Sequence, residues 1–238
     1  MIRLNKYLAQ KNIGSRRTID EMIKNGKVEV NGNIVSLGAT IDSQKDTVKI
    51  NNQIINNINI SYEYYILNKP TNVISAAADT RNNKLVTHLV PSKNRLYPVG
   101  RLDKMSTGLI LLTNDGELAN ILTHPKFHLP KTYIVTTNEN ITPEQLETIR
   151  MGGIRIENKK TSKTIIIKLG PNKFKITLFE GIKRQIRESC KHVGLTVKKL
   201  HRIQMGEIIL GNIKEGSYRQ LSKNELIYLR SLKETTHN

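Results

Sequence analysis

In GRLDKMSTGLILLTNDG, residues 100–116, Asp103 stands between Arg101 and Lys104 and leads into the apolar run Leu109-Ile110-Leu111-Leu112. Neighbouring positive charge holds a carboxylate ionised, and an ionised carboxylate can attack as a nucleophile or stabilise a cation. Gly100 permits a close backbone approach, and the apolar run ties the loop to a core. Taken alone, Asp103 also fits a turn residue ahead of a strand. A second cluster lies in EGIKRQIR, residues 180–187, where Lys183, Arg184 and Arg187 fall at the expected start of a helix. Arg184 and Arg187 are three apart and share a face of that helix. Like charges at the positive end of a helix dipole repel, so an anion must compensate: a phosphate, Asp103, or both. Residues 172–202 carry nine Lys and Arg against two Glu, which argues against a merely solvated face. The third candidate is Tyr133 in KTYIV. A strand tyrosine is ordinarily a core residue, but in a nucleic-acid site it can stack on an unpaired base or move a proton.

The whole chain bears on the partner. It has 238 residues, with 38 Lys+Arg against 20 Asp+Glu and a formal net charge of +18. Folding does not need such an excess, and self-repulsion makes it mildly costly. A polyanion is the expected partner, and nucleic acid is favoured over a membrane surface. Cys190 is the single cysteine, so neither a disulfide framework nor a cysteine-based zinc site is expected. His124 and His128 are four apart, but Pro125 separates them and no third ligand is near in sequence, so they read as loop histidines. No metal site and no cofactor are expected. A Walker loop, a G-x-G-x-x-G turn and a serine nucleophile elbow are all missing from the sequence. The start, MIRLNKYLAQKNIG, is amphipathic, and no stretch reaches transmembrane length, so a cytoplasmic protein is expected.

The elements that must position these residues follow from periodicity. Ile2, Leu4, Tyr7 and Leu8 recur at helical spacing up to Gly14, and Ser15 is an N-cap for a second helix carrying Ile19, Met22 and Ile23. VEVNGNIV reads as two strands around an Asn31-Gly32 turn, and DTVKI as a third. Lys6, Lys11, Arg16, Arg17, Lys24 and Lys27 gather on the two helices, a pattern suited to phosphate. The Asn-rich NNQIINNINI, residues 51–60, is a compositional seam. Beyond it, strands are expected at 62–68, 107–114, 131–137, 163–169, 173–179 and 196–203, with helices at 116–123, 143–150, 182–193 and a last one capped by Ser222 and Glu225. The fold class is α+β with a mixed, largely antiparallel sheet. The expected domains are a small basic domain over 1–50, a linker over 51–60 and a larger domain over 61–238 that carries Asp103, Tyr133 and Arg187; the resemblance that follows implies RNA binding for the first and catalysis for the second.

These segments together resemble the pseudouridine synthase family, in particular its RsuA/RluB-type ribosomal RNA branch. YPVGRLDKMSTGLILLTNDGELANILTHP resembles the catalytic segment, YILNKPTNVIS the first motif with Lys69-Pro70 at its centre, and KTYIV and EGIKRQIR the later motifs. Residues 1 to about 50 resemble the small α-L RNA-binding domain of small-subunit ribosomal protein four. The resemblance implies that a specific uridine in ribosomal RNA is isomerised to pseudouridine. It implies that Asp103 is the catalytic aspartate, that Tyr133 contacts the base, that Arg187 pairs with the aspartate, and that Arg101 helps open the RNA. Lys183 and Arg184 would contact RNA. Glu188 and Ile182 stand where the family often carries further basic residues, which lowers the charge at that helix. A stacked base must flip out to react, and the RNA contacts must offset that cost. Three rivals remain at this stage: a non-catalytic ribosome-assembly factor, a transfer RNA pseudouridine synthase, and a nucleoside hydrolase, whose acidic calcium cluster is missing. The chain is expected to act as a monomer without membrane attachment.

Overall fold

The computed structural model describes every residue except 56–60, 80, 81, 125, 126, 128 and 235–238, together with the side chains of 233 and 234. It divides into two compact units, Met1–Tyr62 and Glu63–Asn238.

In the first unit, β1 (Ile2–Arg3) leads into α1 (Leu4–Gln10) and α2 (Arg16–Lys24). The strands β2 (Val28–Val30), β3 (Asn33–Ile34), β4 (Thr40–Ile41), β5 (Val48–Ile50) and β6 (Gln53–Ile54) follow. Leu4, Leu8, Ile19, Val28, Ile41 and Val48 form its buried core. Ser15 caps α2, its Oγ accepting from the Thr18 N–H at 3.0 Å. The β2–β3 hairpin turns on Asn31 and Gly32 at φ 52° and 82°, the left-handed pair that a two-residue turn requires. Two details differ from the sequence reading. Ile2 is not helical but pairs in β1 with Ile41 of β4. Gln53 and Ile54, read as linker, form an edge strand against β5; the rest of that segment, 56–60, lies outside the described residues.

The second unit carries β7 (Tyr64–Lys69), a 3-10 turn (Val86–Leu89), β8 (Tyr97–Val99), β9 (Thr107–Thr113), α3 (Gly116–Thr123), β10 (Lys131–Thr137) and α4 (Pro143–Met151). Then come β11 (Arg155–Ile156), β12 (Lys159–Lys160), β13 (Ile165–Gly170), β14 (Lys173–Leu178), α5 (Gln185–His192), β15 (Val197–Met205), β16 (Ile208–Ile209), β17 (Tyr218–Gln220) and α6 (Lys223–Glu234). One mixed sheet runs β13-β14-β10-β15-β9-β7-β17, with β16 beside β15 and β8 beside β9. Its pairings are antiparallel except β15 with β9, which is parallel and short, joining His201 to Thr107 and Arg202 to Gly108. Strand β9 is buried on both faces: Ile110 and Leu112 enter one core with Tyr133 and Phe174, and Leu109 and Leu111 enter the other with Val99 and Met205. Two-sided burial is why its sequence is a continuous apolar run rather than an alternation. Side-chain caps set the helix starts: Asp115 for α3, and a Thr142–Gln145 capping box with Pro143 for α4. Ser222 and Glu225 exchange hydrogen bonds ahead of α6. Among the described residues no helix is long and apolar enough to cross a membrane.

Candidate active site

Asp103 sits in the loop between β8 and β9, and that loop is held from several sides. Leu102 donates its N–H to Ser75 Oγ at 3.1 Å, and the Ser75 hydroxyl donates to Leu102 O at 3.0 Å. Asn72 N–H donates to Lys104 O at 2.9 Å, and Ser106 N–H to Asp103 O at 2.9 Å. Gly100 enters the loop at φ 74°, a left-handed conformation that glycine adopts without penalty. Beneath it lies Lys69, fully buried at the end of β7. Its ammonium donates to Pro70 O at 3.0 Å, Lys104 O at 3.2 Å and Ser106 O at 2.7 Å. An ammonium has three N–H donors, and each finds a carbonyl. Burial pushes the Lys69 pKa down to about 8, while the charges of Asp103 and Glu215 resist that fall.

Two arginines face the carboxylate. Arg184 Nη1 lies 3.7 Å and Arg187 Nε 4.0 Å from Asp103 Oδ2. Arg187 is anchored by donation from Nη1 to Val197 O at 3.1 Å. Burial and then the charge of Arg184 push the Arg187 pKa down, and Asp103 opposes that shift. The sequence reading placed Lys183 and Arg184 inside a helix from residue 182. Helix α5 starts at Gln185 instead, and Arg184 is its N-cap at φ 56°. The left-handed turn takes Arg184 off the helical face it was expected to share with Arg187, yet its guanidinium still reaches Asp103. Lys183 lines the same cavity as Asp103, and its ammonium lies 3.4 Å from Glu157 between exposed groups.

A cavity of about 320 Å³ opens beside Asp103, with Arg101, Tyr133, Ile182, Arg184 and Arg202 in its walls. The Asp103 side chain is 39% exposed, so a substrate can approach it. Tyr133 is buried in β10, and its hydroxyl has no hydrogen-bond partner among the described residues. Arg187 is not part of the cavity wall; it backs Asp103 from α5. The site therefore offers a held, approachable carboxylate, two guanidinium groups near one of its oxygens, and an aromatic ring beside it. That combination suits nucleophilic attack or proton removal by the carboxylate on a substrate bound in the cavity.

The other expected residues lie in the first unit. Arg16, Arg17, Lys24 and Lys27 are exposed, and Lys6 and Lys11 half-buried, with the Lys11 ammonium 5.5 Å from the centre of the Tyr7 ring. Burial lowers the Lys11 pKa. Among the described residues Arg16, Arg17, Lys24 and Lys27 form no ion pair. His124 borders the cavity and stacks edge-on with Phe127, whereas His128 lies outside the described residues. Among the described residues no cluster of three His, Cys, Asp or Glu could hold a metal ion. Sequence reasoning passed over Lys69 as the loop's clamp, and Ser75, Ser106, Gln185 and Arg202 altogether. Lys69 carried the one available signal, a lysine closing the apolar strand YYILNK.

A family model described as RNA pseudouridylate synthase matches residues 63–192, and one described as S4 domain matches residues 2–48. The chain is 38% identical to the ribosomal large subunit pseudouridine synthase B of Bacillus subtilis, across 98% of this chain and 97% of that protein. It is also 38% identical to the dual-specificity RNA pseudouridine synthase RluF of Escherichia coli K12, across 99% of this chain and 80% of that protein. A crystal structure of a pseudouridylate synthase superposes with a TM-score of 0.70 at 28% identity, covering 96% of this chain and all of the other.

Proposed function

The chain belongs to the RNA pseudouridylate synthase family, and from that premise we propose that it converts a uridine of ribosomal RNA to pseudouridine with Asp103 as its catalytic carboxylate. The observation that carries the assignment is the Asp103 carboxylate held at a cavity between Arg184, Arg187 and Tyr133. The S4-like first unit and the names of the relatives support ribosomal RNA as the substrate.

The reaction exchanges one bond for another. The N1–C1′ bond breaks and its electron pair leaves with the uracil. The base turns, C5 bonds to C1′, and a proton passes from C5 to N1. Substrate and product are isomers, so the balance needs no oxidant and no energy-rich co-substrate. Asp103 either bonds to C1′ as a retaining glycosidase carboxylate does, or removes the C2′ proton to give a glycal. Arg184 and Arg187, 3.7 and 4.0 Å from its Oδ2, orient it for either route. Tyr133 supports the flipped base and is placed to take part in proton transfer. Arg101, exposed at the cavity edge, fills the gap left in the RNA stack. Because the groups assigned above are complete within one chain, a monomer can carry the reaction, and a ribosomal RNA substrate fits a cytoplasmic enzyme.

Pseudouridine mapping by carbodiimide labelling and primer extension, in cells with and without the gene, tests the reading. One ribosomal RNA site is expected to disappear, and to return with wild type but not with Asp103→Asn. A full set of sites in the deletion strain would overturn ribosomal RNA as the substrate.

A further inference from the structure

Four buried side-chain atoms lack a hydrogen-bond partner among the described residues: Asn68 Oδ1, Ser106 Oγ, Gln185 Oε1 and Arg202 Nη2. Three of the four belong to residues that line the Asp103 cavity. Proteins rarely leave buried polar atoms unmatched, and a cluster of them around one cavity marks it as built for a polar ligand.

Arg202 is the hardest of these to explain as scaffold. It is 2% exposed. Its Nε donates to Leu109 O at 2.7 Å, and no carboxylate is within ion-pairing distance among the described residues. Buried charges are normally paired. Here the neighbours are cations as well. Lys131 donates to Leu129 O at 2.9 Å, and burial together with the charge of Arg202 lowers its pKa. The position is also fixed. Arg202 is the register partner of Tyr133 in β10 and of Gly108 in β9. At Gly108 the two backbones approach so closely that a Cβ would lie 2.2 Å from Arg202 O. A preset guanidinium thus presents a bare N–H beside the ring on which the base would rest.

We propose that Arg202 is a further catalytic residue, donating its free Nη2–H to a carbonyl oxygen of the flipped uracil. The inference rests on the isomerase reading above. When N1–C1′ breaks, the departing electron pair spreads over N1 and the two carbonyl oxygens. A hydrogen bond from a cation strengthens as that charge grows, so it stabilises the transition state more than the bound uridine. This holds for both routes open to Asp103, because uracil leaves in each. A phosphate is the poorer occupant. It stays in a backbone that must run past the cavity mouth, whereas Arg202 is in the buried wall beside Tyr133.

A cycle of enzyme variant and substrate analogue tests the contact. Wild type and Arg202→Lys act in single turnover on a model RNA carrying uridine, 2-thiouridine or 4-thiouridine at the target. Sulfur accepts hydrogen bonds weakly. Wild type is expected to slow by about 10-fold on one thio substrate, and Arg202→Lys by ~10- to 100-fold on uridine with no further loss on that analogue. Losses that multiply for both analogues would overturn the proposal. If thermal melting shows Arg202→Lys to be unfolded, wild type decides alone: slowing on one thio substrate supports the contact, and full rates on both overturn it. Wild type that converts no uridine in the unsubstituted RNA would be a failure of the isomerase reading instead.

Discussion

Lys69 shows how one buried side chain holds the chemistry in place. Its ammonium joins Pro70, Lys104 and Ser106 through their carbonyls, so the loop bearing Asp103 is tied to the end of β7. Lys69→Met strands three acceptors and is expected to cost about 3 kcal/mol in urea unfolding. The same substitution should lower turnover at temperatures where the variant remains folded, because Asp103 loses its support. The pH dependence has a definite sign. Burial lowers the folded pKa to about 8 from a reference value of 10.5. Between those values the unfolded chain binds more protons than the folded one, so this group makes stability rise with pH. The penalty on the buried charge is fully present below about pH 8 and is relieved above it. The advantage of wild type over Lys69→Met should therefore widen from pH 8 toward pH 10, and an advantage that shrinks there would contradict the burial assigned to Lys69. Cys190 is a simpler case. It is fully buried, and burial pushes its thiol up to about 12. Iodoacetamide at pH 8 should leave the native protein unmodified and label it in urea, as mass spectrometry would show.

The elements converge at the parallel junction of β9 and β15, which puts the loop of Asp103 beside Tyr133 and Arg202. Gly108 makes that junction possible. It has φ 103°, and an added Cβ would meet Arg202 backbone atoms at 2.2 to 2.9 Å, none of which can swing aside. Gly108→Ala is expected to destabilise the protein by more than about 3 kcal/mol. Gly32→Ala, at φ 82° with open space around it, should cost only about 1 kcal/mol in the same denaturation assay. Equal losses would mean that φ, not the close approach, is what Gly108 answers. This junction was not legible in the sequence, because it joins residues more than ninety positions apart and no local pattern encodes that pairing. Longer elements were legible for a physical reason. The alternation KTYIVTT and the helical face of GELANILT each span enough residues to set a period, and both occur where read. Two-residue strands such as β11 and β12 are too short to show one. The start of α5 misled because IKRQIR has helical composition while its Arg184 turns left-handed. In the site, Asp103, Tyr133 and Arg187 lie in motifs readable along the chain. Lys69 stands out as the centre of a motif but not as a buried clamp, and Arg202 does not stand out at all, since a cation in a strand reads as a solvent-facing position until the strand proves buried.

At the scale of the whole molecule, the proposed function divides affinity and chemistry between the two units. A net charge of +18 favours a polyanionic partner, whose binding releases counterions to solution. In the first unit, exposed Arg16 and Arg17 open α2 and have no carboxylate partner among the described residues. In the second, Asp103 and Arg184 line the cavity and Arg187 backs the carboxylate. If the first unit grips phosphate while the second reacts, the two functions should respond to different substitutions. Replacing Arg16 and Arg17 together by Ala should weaken RNA binding and reduce the slope of log K against log salt by about 1.5, at roughly 0.7 to 0.9 per lost phosphate contact. Turnover at saturating RNA should stay within about twofold, since no reacting group has moved. Asp103→Asn should do the reverse, keeping both affinity and slope while abolishing turnover. Filter binding across a salt series, paired with single-turnover rates, reads both quantities for both variants. A slope unchanged by the arginine pair would mean that the α2 surface does not touch the RNA backbone, and that the excess charge acts from the second unit.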